Sequence, residues 1–406
     1  MMKSSGLLRC LTVVIACAAT ACGDARSAEG GDSNAPGKGR VVNTSPKWRG
    51  GEGWALSARP VLVVGGSESD SAATLYGVAG AVRLADGRIV VADRGANGLR
   101  IYNSRGEHLL TSGGKGDGPG EFDGVDALAK IRGDTLLIWD RKSARVSVFD
   151  ATGKFVDSRR PTGLNALPWF AGAFRNGSFA VSTGVSPSQM MAQSGSTRQD
   201  TMVILHVGRQ GEVLDTIGRF AGPETFVDMS GGNLTVERVI FGESSSLAVG
   251  GDRFFAGTNT NYELTAYTPA GDSALTIVKQ ERRRPASRAD LDAYRQYLLS
   301  RNLGNVPAEV RASASRRVAA IPHRETLPSF GDIRVDSQGY LWVADFGVPE
   351  QAGRWDIFDP AGAWLGTLEV PGDLTIHEIG ADYLLGVATD ELGVERVEMY
   401  SLQRKI

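Results

Sequence analysis

Residues Asp86–Gly113 read DGRIVVADRGANGLRIYNSRGEHLLTSG. A turn containing Gly87 leads into an apolar run that stops at Asp93. A polar turn follows, then the strand-like RIYN, a second glycine turn at Gly106 and another short apolar run. Alternating short apolar runs and glycine turns are the pattern of antiparallel strands. The stretch decides the fold because it recurs.

Residues Gly133–Arg160, GDTLLIWDRKSARVSVFDATGKFVDSRR, repeat the order of turn, strand, aspartate, turn and strand. Residues Gln338–Leu368, QGYLWVADFGVPEQAGRWDIFDPAGAWLGTL, repeat it again. Thirteen residues separate Asp93 from Gly106 and Asp140 from Gly153; seventeen separate Asp345 from Gly362, where VPEQ lengthens the middle turn. Weaker copies begin at Gly250 and Gly380, and another is split by a polar loop over Val185–Asp200. That makes six units of three or four strands. Such a unit buries neither face alone, so radial stacking into a ring is expected. The last copy lacks an outer strand, and Pro60–Gly66, PVLVVGG, is an orphan strand ahead of the first. It is expected to complete the sixth unit and latch the ring.

The stretches DGRIVVAD, LRIYNSRGE and GGKGDGPGEF, with SQGYLWVAD and WDIFDPAGAWLG, resemble the NHL-type six-bladed β-propellers, and more closely the bacterial six-bladed propeller lipoproteins. The resemblance covers about residues 60–406 apart from one insertion. It implies an all-β, six-bladed β-propeller and says little of activity, since such rings host lyases, hydrolases, sensors and binding platforms.

GGKGDGPGEF, Gly113–Phe122, raises the prospect of a phosphate loop. Its spacing opposes that. Lys115 is followed by Gly116 rather than Ser or Thr, Glu121 stands where a dinucleotide loop needs glycine, and another strand pair follows instead of a helix. The loop is read as a bend between units.

Residues 1–21 read as a lipoprotein signal peptide. Lys3 and Arg9 precede an apolar run too short to span a bilayer, and ATAC ends at Cys22. Cys22 is the expected lipidation site, with Cys17, after VIA, as the alternative. All three cysteines lie in this leader, so the mature chain is expected to hold no disulfide. Residues 22–58, rich in Gly, Ser, Asn and Pro, are expected to be a flexible tether. Residues 59–406 are the propeller. A net charge of -2 gives no electrostatic case for nucleic acid.

A helical insertion is expected over about 281–327, where Leu291, Tyr294, Leu298 and Leu299 fall at helical spacing behind Ser287 as N-cap. Its arginines make it the most basic part of the chain.

Counting back from the repeat landmarks places Gly80, Asp126, Trp169 or Phe170, Ser245, Asp332 and His377 at the starts of channel-lining strands. Asp126, Trp169, Asp332 and His377 are the channel-mouth candidates. Asp126, Asp332 and His377 are the residues that would hold a divalent metal, the one cofactor the sequence raises. The resemblance to metal-dependent propellers stops short: the amidating-lyase type uses several channel histidines, and the lactonase type Glu, Asn and Asp ligands. The repeated Asp93, Asp140 and Asp345 are expected to serve turns. No G-x-S-x-G or HExxH motif is present. The expected function is a monomeric, membrane-anchored envelope scaffold that binds a protein, peptide or glycan on one propeller face. The alternative is a metal-assisted lyase or hydrolase working in the axial channel.

Overall fold

The computed structural model describes residues 39–50, 52–66, 74–164, 168–183, 195–228, 235–302, 307–347, 353–390 and 393–404. The leader, Cys17, Cys22 and residues 22–38 lie outside this set.

Three short strands come first: β1 (Arg40–Asn43), β2 (Trp54–Leu56) and β3 (Leu62–Gly65). Six antiparallel sheets follow, one per sequence unit. Blade 1 holds β4 (Val78–Arg83), β5 (Ile89–Asp93), β6 (Gly98–Tyr102) and β7 (His108–Gly113). Blade 2 holds β8 (Val125–Ile131), β9 (Thr135–Asp140), β10 (Arg145–Phe149) and β11 (Phe155–Arg159). Blade 3 holds β12 (Trp169–Ala173), β13 (Phe179–Thr183) and a long hairpin of β14 (Ser196–Val207) and β15 (Val213–Asp228), edged by β16 (Thr235–Arg238). Blade 4 holds β17 (Ser245–Gly250), β18 (Arg253–Thr258), β19 (Glu263–Tyr267) and β20 (Ser273–Lys279). Helices α1 (Arg288–Asn302) and α2 (Ala308–Ala320) intervene. Blade 5 holds β21 (Ile333–Val335), β22 (Leu341–Ala344), β23 (Gly353–Phe358) and β24 (Trp364–Val370). Blade 6 holds β25 (Leu374–Ile379), β26 (Tyr383–Thr389) and β27 (Glu395–Arg404).

The turn chemistry explains why the repeat is written as it is. Asp150 Oδ1 accepts from the Thr152 and Lys154 amides, and Asp359 Oδ1 from those of Ala361 and Ala363. Each carboxylate supplies the turn with its own acceptor. The glycine that follows, Gly153 or Gly362, has a φ of 82° or 86°, which L side chains rarely adopt.

Burial falls from the inside of a blade outward. All five residues of β5 are buried, whereas β7 on the outer edge is mostly exposed. Six apolar clusters lie one at each joint between blades, and a seventh lies under the insertion. Ile101 and Val90 meet Phe122 and Phe149 between blades 1 and 2; Trp139 and Val146 meet Phe179 between 2 and 3. Phe174 meets Phe254 between 3 and 4, and Tyr262 meets Phe330 between 4 and 5. Trp342 and Trp355 meet Leu384 between 5 and 6. Tyr383 and Leu385 of blade 6 meet Ile89 and Val91 of blade 1, so the ring closes. The protein is a six-bladed β-propeller.

The closing strand is the orphan one: β3 pairs with residues Arg396–Met399 of β27. Next to it β2 pairs with Leu402–Arg404, so two short strands in tandem form the outer edge of blade 6. This corrects the reading of residues 22–58 as a flexible tether, because from residue 39 onward the chain is built into the ring. β1 adds in parallel to β20 as a fifth strand of blade 4. Asn43 fastens it, donating to the Gly362 carbonyl at 3.0 Å and accepting from the Trp364 amide at 2.8 Å. Trp48 and Trp54 pack against the joint of blades 5 and 6. The Gly and Pro content of the segment hides apolar anchors too few to set a period. The polar loop read over Val185–Asp200 also ends early, since β14 begins at Ser196.

The Gly113–Phe122 loop is a structural bend. Four of its amides are already spent: Gly118 N donates to the Glu121 carboxylate at 2.9 Å, Gly116 N to the Phe122 carbonyl at 3.1 Å, Glu121 N to the Gly118 carbonyl and Phe122 N to the Gly114 carbonyl. Buried Arg145 donates to the Asp117 and Glu121 carbonyls, and Phe122 fills the first joint. No phosphate cradle remains.

Candidate functional site

The innermost strands β4, β8, β12, β17, β21 and β25 surround the axis. Adjacent ones approach closely, and a Cβ on Gly80 would lie 2.6 Å from that of Leu128 on the next blade. Four of these strands carry a bulge, at Ala79, Asp126, Ala171 and His377. A bulged residue leaves the ladder, which frees its side chain to be aimed. Two of the four channel-mouth candidates, Asp126 and His377, therefore occupy bulges.

Asp126 sits at the mouth where the inner strands begin. Its Oδ1 lies 3.6 Å from Arg94 Nη2 and 3.8 Å from Arg141 Nε. The Arg141 guanidinium stacks over the indole of Trp169, 4.1 Å from the ring centroid, and Trp169 is 53% exposed. Asp332 is held by Arg334, with contacts of 3.0 and 2.7 Å to its two oxygens. His377 lies nearer the far end of the channel than Asp126, as the strand registers show. Burial there, with the positive charges of Arg334 and Arg94, pushes its ring down to about 4, so the imidazole is neutral at pH 7. Toward the far end the ion pair Lys130–Glu378, 2.7 Å long, reaches from blade 2 to blade 6 past Arg83 of blade 1.

Asp126 and Trp169 thus share one mouth, Asp332 lines the neighbouring cleft and His377 lies deeper, so the candidates form no single ligand set. Among the described residues no group of three or more His, Cys, Asp or Glu is placed to hold a metal. The donor chemistry does not fit one either. Asp126 and Asp332 both face guanidinium groups, and His377 is flanked by two cations, so a divalent ion would meet net repulsion.

Trp169 also opens onto a cleft of about 800 Å³ shared by blades 3, 4 and 5. Phe170, Phe241, Phe330 and Phe346 give it apolar walls; Ser245, Asn259, Asp332 and Arg334 are among its polar groups. Tyr294 of α1 forms part of its roof, edge-on to Phe241 at 5.5 Å and stacked on Phe346 at 6.4 Å. The helix starts as the sequence indicates: Ser287 Oγ accepts from the Asp290 amide, and the Asp290 carboxylate accepts from Ser287 N at 2.9 Å. The Ser287 hydroxyl, donating to that carboxylate at 2.6 Å, and the Ser287 amide hold the Asp290 carboxyl below its ordinary range. The insertion is pinned to the face by Arg324, which forks onto Glu224 at 2.9 and 2.6 Å, and by Ile321 and Leu327 against Phe241.

The repeated acids behave as turn residues in blades 1 and 2. Asp93 accepts from the Tyr76 and Gly95 amides, and Asp140 from those of Asp123 and Ser143. Asp345 accepts from no amide among the described residues. It lies half-buried beside Arg354, and burial raises its carboxyl above the usual range. Sequence reading missed the arginines at the mouth, although a signal was present. Arg94 and Arg141 each directly follow a repeated aspartate, and the third such position holds Phe346, a wall of the cleft.

No known family matches the chain, and no curated protein matches its sequence. Solved structures do match, at low identity. A protein of Bacteroides fragilis named as an exported protein is 13% identical, with 90% of this chain and 99% of that one covered and a TM-score of 0.47. A duf4221-family protein of Bacteroides vulgatus is 11% identical over 87% and 99% of the two chains, with a TM-score of 0.45. Virginiamycin B lyase of Staphylococcus aureus is 10% identical over 86% and 99%, with a TM-score of 0.39. These likenesses, all with TM-scores below 0.5, leave both the ring and the cleft's ligand to be read from the residues themselves.

Proposed function

We propose that this protein is a lipid-anchored propeller of the bacterial cell envelope. In this reading it binds a protein, peptide or glycan segment in the cleft between blades 3, 4 and 5. The observation that carries the reading is the roofed aromatic cleft itself. A cavity of about 800 Å³ with an exposed indole at its edge is sized for part of a polymer or a small ligand. The insertion spans ten arginines and five acidic residues over 281–327, and it supplies both the roof and the pinning contacts. It is built to keep that cleft in shape.

Trp169→Ala tests the site. Trp169 is half exposed, so the substitution is expected to cost roughly 1–3 kcal/mol, from its buried half and its contact with Arg141, and to leave the ring folded. Binding of envelope glycan fragments or peptides, screened by tryptophan fluorescence and calorimetry, is expected to weaken at least tenfold. Ligands bound by the variant with parental affinity would remove the cleft from consideration.

The anchor rests on the leader. Cys22→Ala is expected to release folded protein from the membrane fraction, since stable anchoring takes more than one acyl chain and these attach at the cysteine. Release by Cys17→Ala alone would move the lipidation site to Cys17. Membrane retention of the double variant would end the lipoprotein reading.

A further inference from the structure

We infer that the channel mouth beside the cleft is a site for the carboxylate of an acidic sugar, gripped by Arg141 on the Trp169 indole with Arg94 and Arg334 around it. This rests on the cleft being a ligand site and adds the charge and the kind of ring that the ligand brings.

Arg141 is the central observation. It donates no hydrogen bond to any described residue, and its Nε is buried without a partner. The nearest carboxylate oxygen, on Asp126, is 3.8 Å from Nε, beyond hydrogen-bond range. A buried donor without an acceptor is costly and calls for an explanation. Here the guanidinium lies over the Trp169 ring, 4.1 Å from its centroid, with donors unused among the described residues. A planar fork matches a planar carboxylate, donating to both of its oxygens.

The charge balance agrees. Among the described residues Arg94, Arg141 and Arg334 pair with Asp126 and Asp332, one positive charge over at the mouth itself, while Glu243 lines the cleft beyond it. His377, deeper in the channel, makes no hydrogen bond to a described residue and is kept neutral by burial and by Arg334 and Arg94. A carboxylate entering the mouth would relieve that repulsion. The body carrying it would lie on the exposed part of the Trp169 ring and extend into the cleft, past the hydroxyl and amide groups of Ser182, Ser245 and Asn259. A flat aromatic platform beside hydroxyl partners suits a sugar ring.

The chain has four histidines, so the ring resonances of His377 can be resolved by NMR in the intact protein. Methyl glucuronide is the probe, with methyl glucoside as its neutral counterpart, a glutamyl dipeptide and inorganic phosphate. Methyl glucuronide is expected to move the His377 signals saturably and to quench Trp169, and methyl glucoside to do neither. Arg141→Met, which keeps the stem on the indole, is expected to weaken the glucuronide about tenfold or more, and Arg141→Lys to restore part of it. Melting curves confirm that both variants fold. Equal responses to glucuronide and glucoside, or an Arg141→Met response equal to the parent's, would overturn the proposal. Tighter binding of the dipeptide or phosphate would overturn the sugar. Neutral ligands captured through Trp169 and indifferent to Arg141→Met would leave the cleft standing and the carboxylate refuted. A glucuronide response unchanged by Trp169→Ala would support the charged mouth while overturning its continuity with the cleft.

Discussion

Removal of Val61–Gly66 is expected to unfold the ring at temperatures where the parent is stable. Val64 is 1% exposed and sits in the cluster that joins blade 6 to blade 1. Its burial contributes roughly 1.5–3 kcal/mol, and each lost ladder bond about 1 kcal/mol. The total, roughly 4–7 kcal/mol, is comparable to the ~5–15 kcal/mol that holds a typical domain together. The edge of β27 left behind would also be open to pairing with other chains. Val64→Asp keeps the chain length and is expected to act in the same direction, since it buries a charge with no partner. Trp54→Ala removes the neighbouring clasp, where Arg404 stacks on the indole at 4.2 Å, at a cost of about 3–5 kcal/mol. The control truncation must stop at Pro36. A cut reaching Gly53 would take away β1 and Trp48 as well, and it is expected to destabilise. Urea unfolding reads all five variants. A parental midpoint for the Val61–Gly66 deletion would refute the latch.

The latch was legible because PVLVVGG is an unpaired apolar run and the last repeat is short of one strand. The ring itself was legible for a local reason: each turn carries its own acceptor and its own glycine, so Asp150–Gly153 and Asp359–Gly362 write the same signal twice. β1 and β2 were not legible. Four and three residues are too few to show a period, and both are held by distant partners, Gly362 for Asn43 and Arg404 for Trp54. The site was half legible. Register counting reached Asp126 and His377, but nothing local marks a bulge, so the depth of His377 in the channel was not foreseen. The arginines escaped because an arginine after a turn reads as solvated surface. What turns Arg141 inward is Trp169, which comes from the next blade.

Asp356→Ala is expected to cost about 3–5 kcal/mol, the size found when one partner of a buried ion pair is removed. Asp356 is 1% exposed and takes four donors across the joint of blades 4 and 5. From blade 4 come Lys279 Nζ at 2.6 Å and the Tyr262 hydroxyl at 2.7 Å. From its own blade come Thr367 Oγ1 at 2.8 Å and Trp364 Nε1 at 3.1 Å. Lys279 lies between the rings of Tyr262 and Trp364, 4.7 and 4.6 Å from their centroids, and keeps Glu281 at 2.9 Å. Burial and the adjacent carboxylate push the Tyr262 hydroxyl well above its ordinary range, so it remains a donor. Without Asp356 the ammonium stays in the joint with one half-exposed partner, the Tyr262 and Thr367 hydroxyls lose their acceptor, and Trp364 keeps only the Gly366 carbonyl. Lys279→Met leaves the opposite charge behind and is expected to cost nearly as much. The double substitution strands neither charge, so its cost is expected to fall below the sum of the two by at least about 1 kcal/mol. Urea midpoints for the four proteins close the cycle. Additivity within about 0.5 kcal/mol would mean that the two charges stabilise the joint independently, and that packing, rather than the shared network, holds blades 4 and 5 together.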